Sequence, residues 1–252
     1  MLEVRGLTKQ FGGLKAVSNF DIDVKEGEIV GLIGPNGAGK STVFNLITGV
    51  LPVTSGSIKF GDVDITRTQP AKVAKMGIGR TFQLNPLFAE FTVLENVSSS
   101  FYLHPHSSFF DIFFNTPKYR RNEKFVKEKA YEILEIVGIA HEADELARNL
   151  AHGHQKMLGV ARALATKPTF LMLDEPLAGM NPSEIQHSLD AIRGMRDNGM
   201  TVLIVEHNMQ ILNLCDRVVV ISFGQKICEG LPQEVQANQE VISAYFGADY
   251  VC

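Results

Sequence analysis

The chain has 252 residues, of which 45% are hydrophobic and 21% charged, a balance that suits one large globular domain or two small ones. A formal net charge of -4 supplies no chain-wide basic field, which argues against nucleic acid as a partner. Cys215, Cys228 and Cys252 form no C-x-x-C pair or metal-spaced cluster and read as reduced cytoplasmic thiols. The N-terminus lacks a leader pattern, and no apolar run reaches the roughly 18 residues of a membrane helix. Work at a membrane would therefore need other chains to hold this one there.

In chain order, Val17, Phe20, Ile22 and Val24 approach the alternation of a half-buried strand, with a turn at Glu26-Gly27. The run from Glu28 to Ile33 then enters a glycine-rich loop, and Ser41 to Thr48 continues as a helix that Gly49 can end. From about Val93 to Leu150 strand signals fade, while Val126, Ala130, Ile133, Leu134 and Val137 recur at helical spacing. That stretch is expected to be an inserted helical subdomain. Within it, Phe101 to Phe114 is aromatic but broken by His104, Pro105 and His106, so it suits local packing or a docking surface rather than a membrane span.

Further on, Phe170 to Leu173, Val202 to Val205 and Val218 to Ile221 are short apolar runs of the kind buried on both faces of a sheet. Pro182 to Asn198 reads as a helix with Asn181 as N-cap, Glu184 closing a capping box, Ile185, Leu189 and Ile192 on its apolar face, and Gly199 at its end. Strands alternating with helices predict an α/β fold: a mainly parallel sheet preceded by an N-terminal antiparallel β layer.

Gly34-Pro35-Asn36-Gly37-Ala38-Gly39-Lys40-Ser41 satisfies G-x-x-x-x-G-K-[ST] between a strand and a helix, the setting in which this pattern cradles phosphate on backbone N–H groups. Lys40 is placed for the β- and γ-phosphates of ATP, Ser41 for Mg²⁺, and Thr42 for a further phosphate contact. The strand Phe170 to Asp174 ends in two acids, Asp174 suited to Mg²⁺ and Glu175 to drawing a proton from the attacking water. Alone, such a pair is an ordinary solvated strand end; beside a phosphate loop it is a catalytic pattern. His207 leaves a neighbouring strand end and could reach the γ-phosphate.

These residues resemble the ATPase subunits of ABC transporters over essentially the whole chain, read as one P-loop NTPase domain spanning 1–252 with the helical insert at about 93–150 and the signature at 150–155. The resemblance rests on the phosphate loop, Gln83 in Thr81-Phe82-Gln83, the Leu150 to Gln155 segment ahead of Ala161-Arg162-Ala163-Leu164, the Asp174-Glu175 strand, and His207. It implies a head-to-tail dimer with a second ATPase subunit, two ATP molecules between them, two membrane permease subunits, a solute-binding protein, and a place on the cytoplasmic face of the membrane. It also implies that Phe11 stacks on adenine, although packing in the core is an alternative reading of that ring. Gln83 would sense Mg²⁺ and water while its loop touches the membrane partner, and the loop holding Asn181 would cross the dimer interface.

The signature departs from the family's Leu-Ser-Gly-Gly-Gln, standing here as Leu150-Ala151-His152-Gly153-His154. Ala151, His152, Gly153 and His154 are still expected at the partner's phosphates, because the helix N–H groups survive. A catalytically weak regulatory subunit is one alternative. His152 and His154 read as tolerated replacements, as a phosphate-coupled pair, or as an H-x-H metal motif for which the sequence shows no further ligand.

More narrowly, Arg80-Thr81-Phe82-Gln83, Ala178-Gly179-Met180-Asn181-Pro182 and the Leu-Ala-x-Gly signature resemble branched-chain amino acid importers. Urea importers of the same family are the alternative.

Overall fold

The computed structural model describes residues 1–82, 86–101, 111, 113–207 and 209–246. Its elements are β1 (Leu2–Phe11), β2 (Leu14–Val24), β3 (Ile29–Ile33), α1 (Lys40–Ile47), β4 (Ser55–Phe60), β5 (Val63–Asp64), α2 (Pro70–Lys75), β6 (Ile78–Arg80) and α3 (Val93–Ser100). There follow α4 (Pro117–Ile136), α5 (His152–Leu164), β7 (Phe170–Asp174), α6 (Pro182–Asp197), β8 (Thr201–Glu206), β9 (Arg217–Ser222), β10 (Gln225–Gly230), α7 (Pro232–Ala237) and α8 (Gln239–Phe246).

Two sheets carry the fold. The first is four-stranded in the order β2-β1-β4-β5, with antiparallel pairing throughout. The second has the order β10-β9-β3-β8-β7-β6; its strands are parallel except for the β9–β10 pair. This matches the expected α/β core and antiparallel N-terminal layer.

Period-two alternation along the central strands divides the core in two. Val30, Leu32, Phe170, Met172, Leu203 and Val205 face one cluster with Phe20, Phe44 and Ile58, between the sheets and α1. Ile29, Ile33, Leu171, Leu173, Val202 and Ile204 face the other, which runs on through α3, α4 and α5 by way of Val97, Ala130, Leu134 and Leu158. Both faces are covered, so these strands read as continuous apolar runs. Each fully buried Phe or Leu contributes about 2 kcal/mol of transfer free energy.

Between 93 and 150 the described residues hold α3, α4 and two short 3₁₀ turns at Ala140–Glu142 and Ala147–Asn149. A capping box closes α3, with Thr92 Oγ1 accepting from Glu95 N and a Glu95 carboxylate oxygen accepting from Thr92 N. The aromatic segment is divided: Phe101 is buried, whereas Phe113 and Phe114 are exposed and meet edge to face. Most of it, 102–110 and 112, lies outside the described residues. No helix among the described residues is long and apolar enough to cross a membrane.

Candidate active site

Because β3, β6, β7 and β8 run parallel, their carboxyl ends emerge on one edge, the position where α/β sheets bind ligands. Register puts Ile33 beside Glu206, Asp174 beside Val205 and Arg80 beside Met172. The phosphate loop, the acidic pair, and His207 therefore leave the same edge.

The loop from Gly34 to Gly39 lies between β3 and α1. Gly37 and Gly39 adopt positive φ of 81° and 107°, and a Cβ on Gly39 would stand 2.6 Å from the Ala16 carbonyl oxygen. Only glycine fits there. No side chain caps α1, which leaves the first-turn N–H groups of Lys40, Ser41 and Thr42 for a ligand. Ala38 is buried while Asn36, Gly37 and Ser41 are exposed. Lys40 is buried and donates Nζ to the carbonyls of Gly34 at 2.6 Å and Pro35 at 3.0 Å. Burial pushes its pKa down, and the charges of Glu175, Asp174 and Glu206 oppose that shift.

Asp174 is buried. Arg80 donates Nη2 to its Oδ2 at 3.0 Å, and Thr81 Oγ1 accepts from its N–H at 3.0 Å. Desolvation raises the carboxyl pKa above the usual value despite the Arg80 guanidinium. Asp174 Oδ1 is buried with no hydrogen-bond partner among the described residues. An orphaned carboxylate oxygen, on the sheet edge that also carries the exposed serine at the head of α1, fits a hard cation that demands oxygen ligands.

Glu175 follows with φ of 48°, an uncommon left-handed conformation outside glycine that costs of order 1 kcal/mol. Its N–H donates to the Val205 carbonyl at 2.9 Å, which pins the residue to the end of β8. His207 is exposed, with Nδ1 3.9 Å from Glu175 Oε1 and 3.7 Å from Glu206 Oε2. Glu206 is fully buried and accepts from Leu177 N–H at 2.7 Å, holding the chain that follows Glu175. Phe11, at the end of β1, is 46% exposed with Lys9 Nζ 4.9 Å from its ring centroid, so it is not a core residue. Gln83 lies outside the described residues.

The signature segment leads into α5, where Ala151 offers no side-chain cap and the N–H groups of His152, Gly153 and His154 open the helix. Gly153 approaches α6 so closely that a Cβ would meet the Glu184 carboxyl carbon at 2.8 Å. The His152 ring lies over Gly179. His154 turns Nδ1 to Glu142 Oε2 at 2.6 Å, a neighbour that the sequence reading did not supply. Also missed were Arg80 as the partner of Asp174 and Glu206 as a buried brace. Arg80 had a signal, its place in Arg-Thr-Phe-Gln; nothing local marks Glu142.

A phosphate loop before a helix, with a strand-end acid pair beside it, defines the class of P-loop nucleotide hydrolases. Residues 17–178 match the family model described as ABC transporter, and residues 225–251 match that of the branched-chain amino acid ATP-binding cassette transporter. The chain is 41% identical to the high-affinity branched-chain amino acid transport ATP-binding protein BraF of Pseudomonas aeruginosa, and 40% to the corresponding LivG protein of Salmonella typhimurium. Each alignment covers 98% of both chains. The solved ADP conformation of an ATP-binding cassette of an ABC transporter superposes with a TM-score of 0.85 at 36% identity, covering 98% of each chain. This chain belongs to the ABC transporter ATPase family, as an ATP-hydrolysing transport subunit.

Proposed function

We propose that this chain hydrolyses MgATP in a head-to-tail dimer with a second ATPase subunit and thereby powers import of branched-chain amino acids. The complex would include two membrane permease subunits and a solute-binding protein, and the chain would sit on the cytoplasmic face of the membrane. The observation that carries the reading is the convergence of Lys40, Asp174 and Glu175 on one sheet edge. The cargo rests on the names carried by relatives matched over nearly their full length.

Lys40 would exchange the Gly34 and Pro35 carbonyls for the β- and γ-phosphate oxygens, contacts worth more to a buried cation than neutral carbonyls. Asp174 and Ser41 would hold Mg²⁺, with Gln83 as a further ligand. Held there, the ion would supply positive charge against the charge that develops on the phosphates. Glu175 would take a proton from water as its oxygen attacks the γ-phosphorus and ADP leaves, and His207 would hydrogen-bond the γ-phosphate. Phe11 would stack on adenine. From the other subunit, the N–H groups at Ala151, His152, Gly153 and His154 would close on the same phosphates. These intact groups favour an active subunit over a regulatory one.

The apolar groove of about 340 Å³ lined by Val50, Val73, Phe82, Pro86 and Arg162, next to the segment holding Gln83, is where a permease loop would dock. Reconstituting the chain with its membrane partners and measuring ATP-dependent uptake of labelled leucine, valine and urea tests the reading. Leucine and valine uptake is expected; urea uptake alone would reassign the cargo.

A further inference from the structure

We propose that His141, Glu142 and His154 form a binding site for a divalent transition-metal ion, Zn²⁺ foremost, at the start of α5. The 3₁₀ turn Ala140–Glu142 follows α4 and brings its side chains to the first turn of α5, so that one ligand atom from each of the three residues lies within 4.8 Å of the others. This supplies the further ligands that the His-x-His pattern lacked in the sequence.

Two of the donor atoms are poorly provided for without a cation. His154 Nδ1 and Glu142 Oε2 stand 2.6 Å apart, both shielded from solvent, yet neither has a hydrogen-bond partner of adequate geometry among the described residues. Buried polar atoms in that condition carry a desolvation cost that a shared ion would offset. The His141 and His154 rings meet edge to face, with centroids 5.8 Å apart and planes at 85°. Rings so crossed can each aim a nitrogen at a common point, whereas stacked rings cannot.

The donor set selects the ion. Two imidazoles and a carboxylate suit Zn²⁺, with bonds of about 2.0–2.2 Å, while Mg²⁺ and Ca²⁺ prefer oxygen alone. Three protein ligands leave a fourth tetrahedral position for water. Exposed His141 gives an ion a path in. Binding would tie the turn after α4 to the first turn of α5 and hold His154 toward that turn. The site is separate in ligands and chemistry from Asp174 and Ser41.

Zn²⁺ is titrated into the untagged full chain in competition with a chromophoric chelator, with and without saturating MgADP to occupy the nucleotide site. One ion per chain is expected, with Kd below about 100 µM. His141→Asn and Glu142→Gln should each weaken it at least tenfold, with far-ultraviolet circular dichroism unchanged. His141 is exposed, so its substitution leaves the core intact. Binding weaker than about 100 µM, or a change smaller than tenfold in either variant, overturns the proposal.

Discussion

Arg80 at the end of β6 and Asp174 at the end of β7 form a buried ion pair, the guanidinium donating at 3.0 Å to one carboxylate oxygen while the other has no hydrogen-bond partner among the described residues. The same guanidinium donates to Asn45 Oδ1 on α1 and to Thr48 Oγ1 at its C-cap and lies against the rings of Phe44 and Phe82. One side chain thus joins the helix behind the phosphate loop, the approach to Gln83, and the acid read as the metal ligand.

Arg80→Met should destabilise the chain by about 3 kcal/mol, because it leaves a buried carboxylate without its cation. The Asp174 carboxyl, already raised by burial, should rise further. Mg²⁺ needs the ionised form, so the ATPase pH profile should move toward alkaline pH. Denaturant unfolding and pH–rate curves check both outcomes; an unchanged midpoint would mean the pair adds nothing to stability.

Glu28 at the start of the central strand accepts from Arg217 Nε at 2.9 Å and Nη2 at 3.1 Å, and from Lys25 N–H at 2.9 Å. Burial raises its pKa, but the Arg217 hydrogen bond and the Lys25 N–H together outweigh burial and hold it below the ordinary 4.5. A depressed carboxylate contributes stability that is full above the unfolded-state value and is lost as pH falls through the folded one. Glu28→Gln should therefore cost about 2 kcal/mol at neutral pH and less below pH ~4.5. Melting temperatures of both proteins from neutral to acid pH should converge; parallel curves would contradict the linkage.

Local patterns were legible. Asn181 caps α6, accepting from Ser183 and Glu184 N–H, while the Glu184 carboxylate accepts from Asn181 N–H, as the sequence required. Gly49 and Gly199 follow their helices with positive φ. The phosphate loop and the Asp174-Glu175 strand end were equally plain. Less legible was β1, whose irregular register between Val4 and Leu7 and between Leu7 and Lys9 breaks the alternation that marks a strand. The pairings of Arg80 with Asp174 and Arg217 with Glu28 join positions 94 and 189 residues apart, which only the tertiary fold brings together.

Lys40→Ala should weaken ATP binding at least tenfold by removing the cation that the phosphate loop holds on its Gly34 and Pro35 carbonyls. Stability should hardly change, since the desolvation of the buried lysine offsets its two bonds to loop carbonyls and the attraction of the nearby carboxylates. Fluorescent-nucleotide titration and thermal melting separate the two effects. Wild-type affinity in this variant would remove Lys40 from the site.

Glu175→Gln should keep MgATP binding and lose hydrolysis by a factor of about 10² or more, because the amide preserves shape but cannot take up the proton from the attacking water. The backbone should tolerate the change, as the amide keeps the shape of the carboxylate and the residue's N–H bond to the Val205 carbonyl is untouched. ATP should then persist between paired subunits, and light scattering should show an ATP-dependent dimer at nucleotide concentrations that leave the wild type mostly monomeric. Unimpaired hydrolysis would assign the base elsewhere. If hydrolysis is lost but the protein stays monomeric with saturating MgATP, Glu175 keeps its catalytic role and the head-to-tail closure through Gly153 fails.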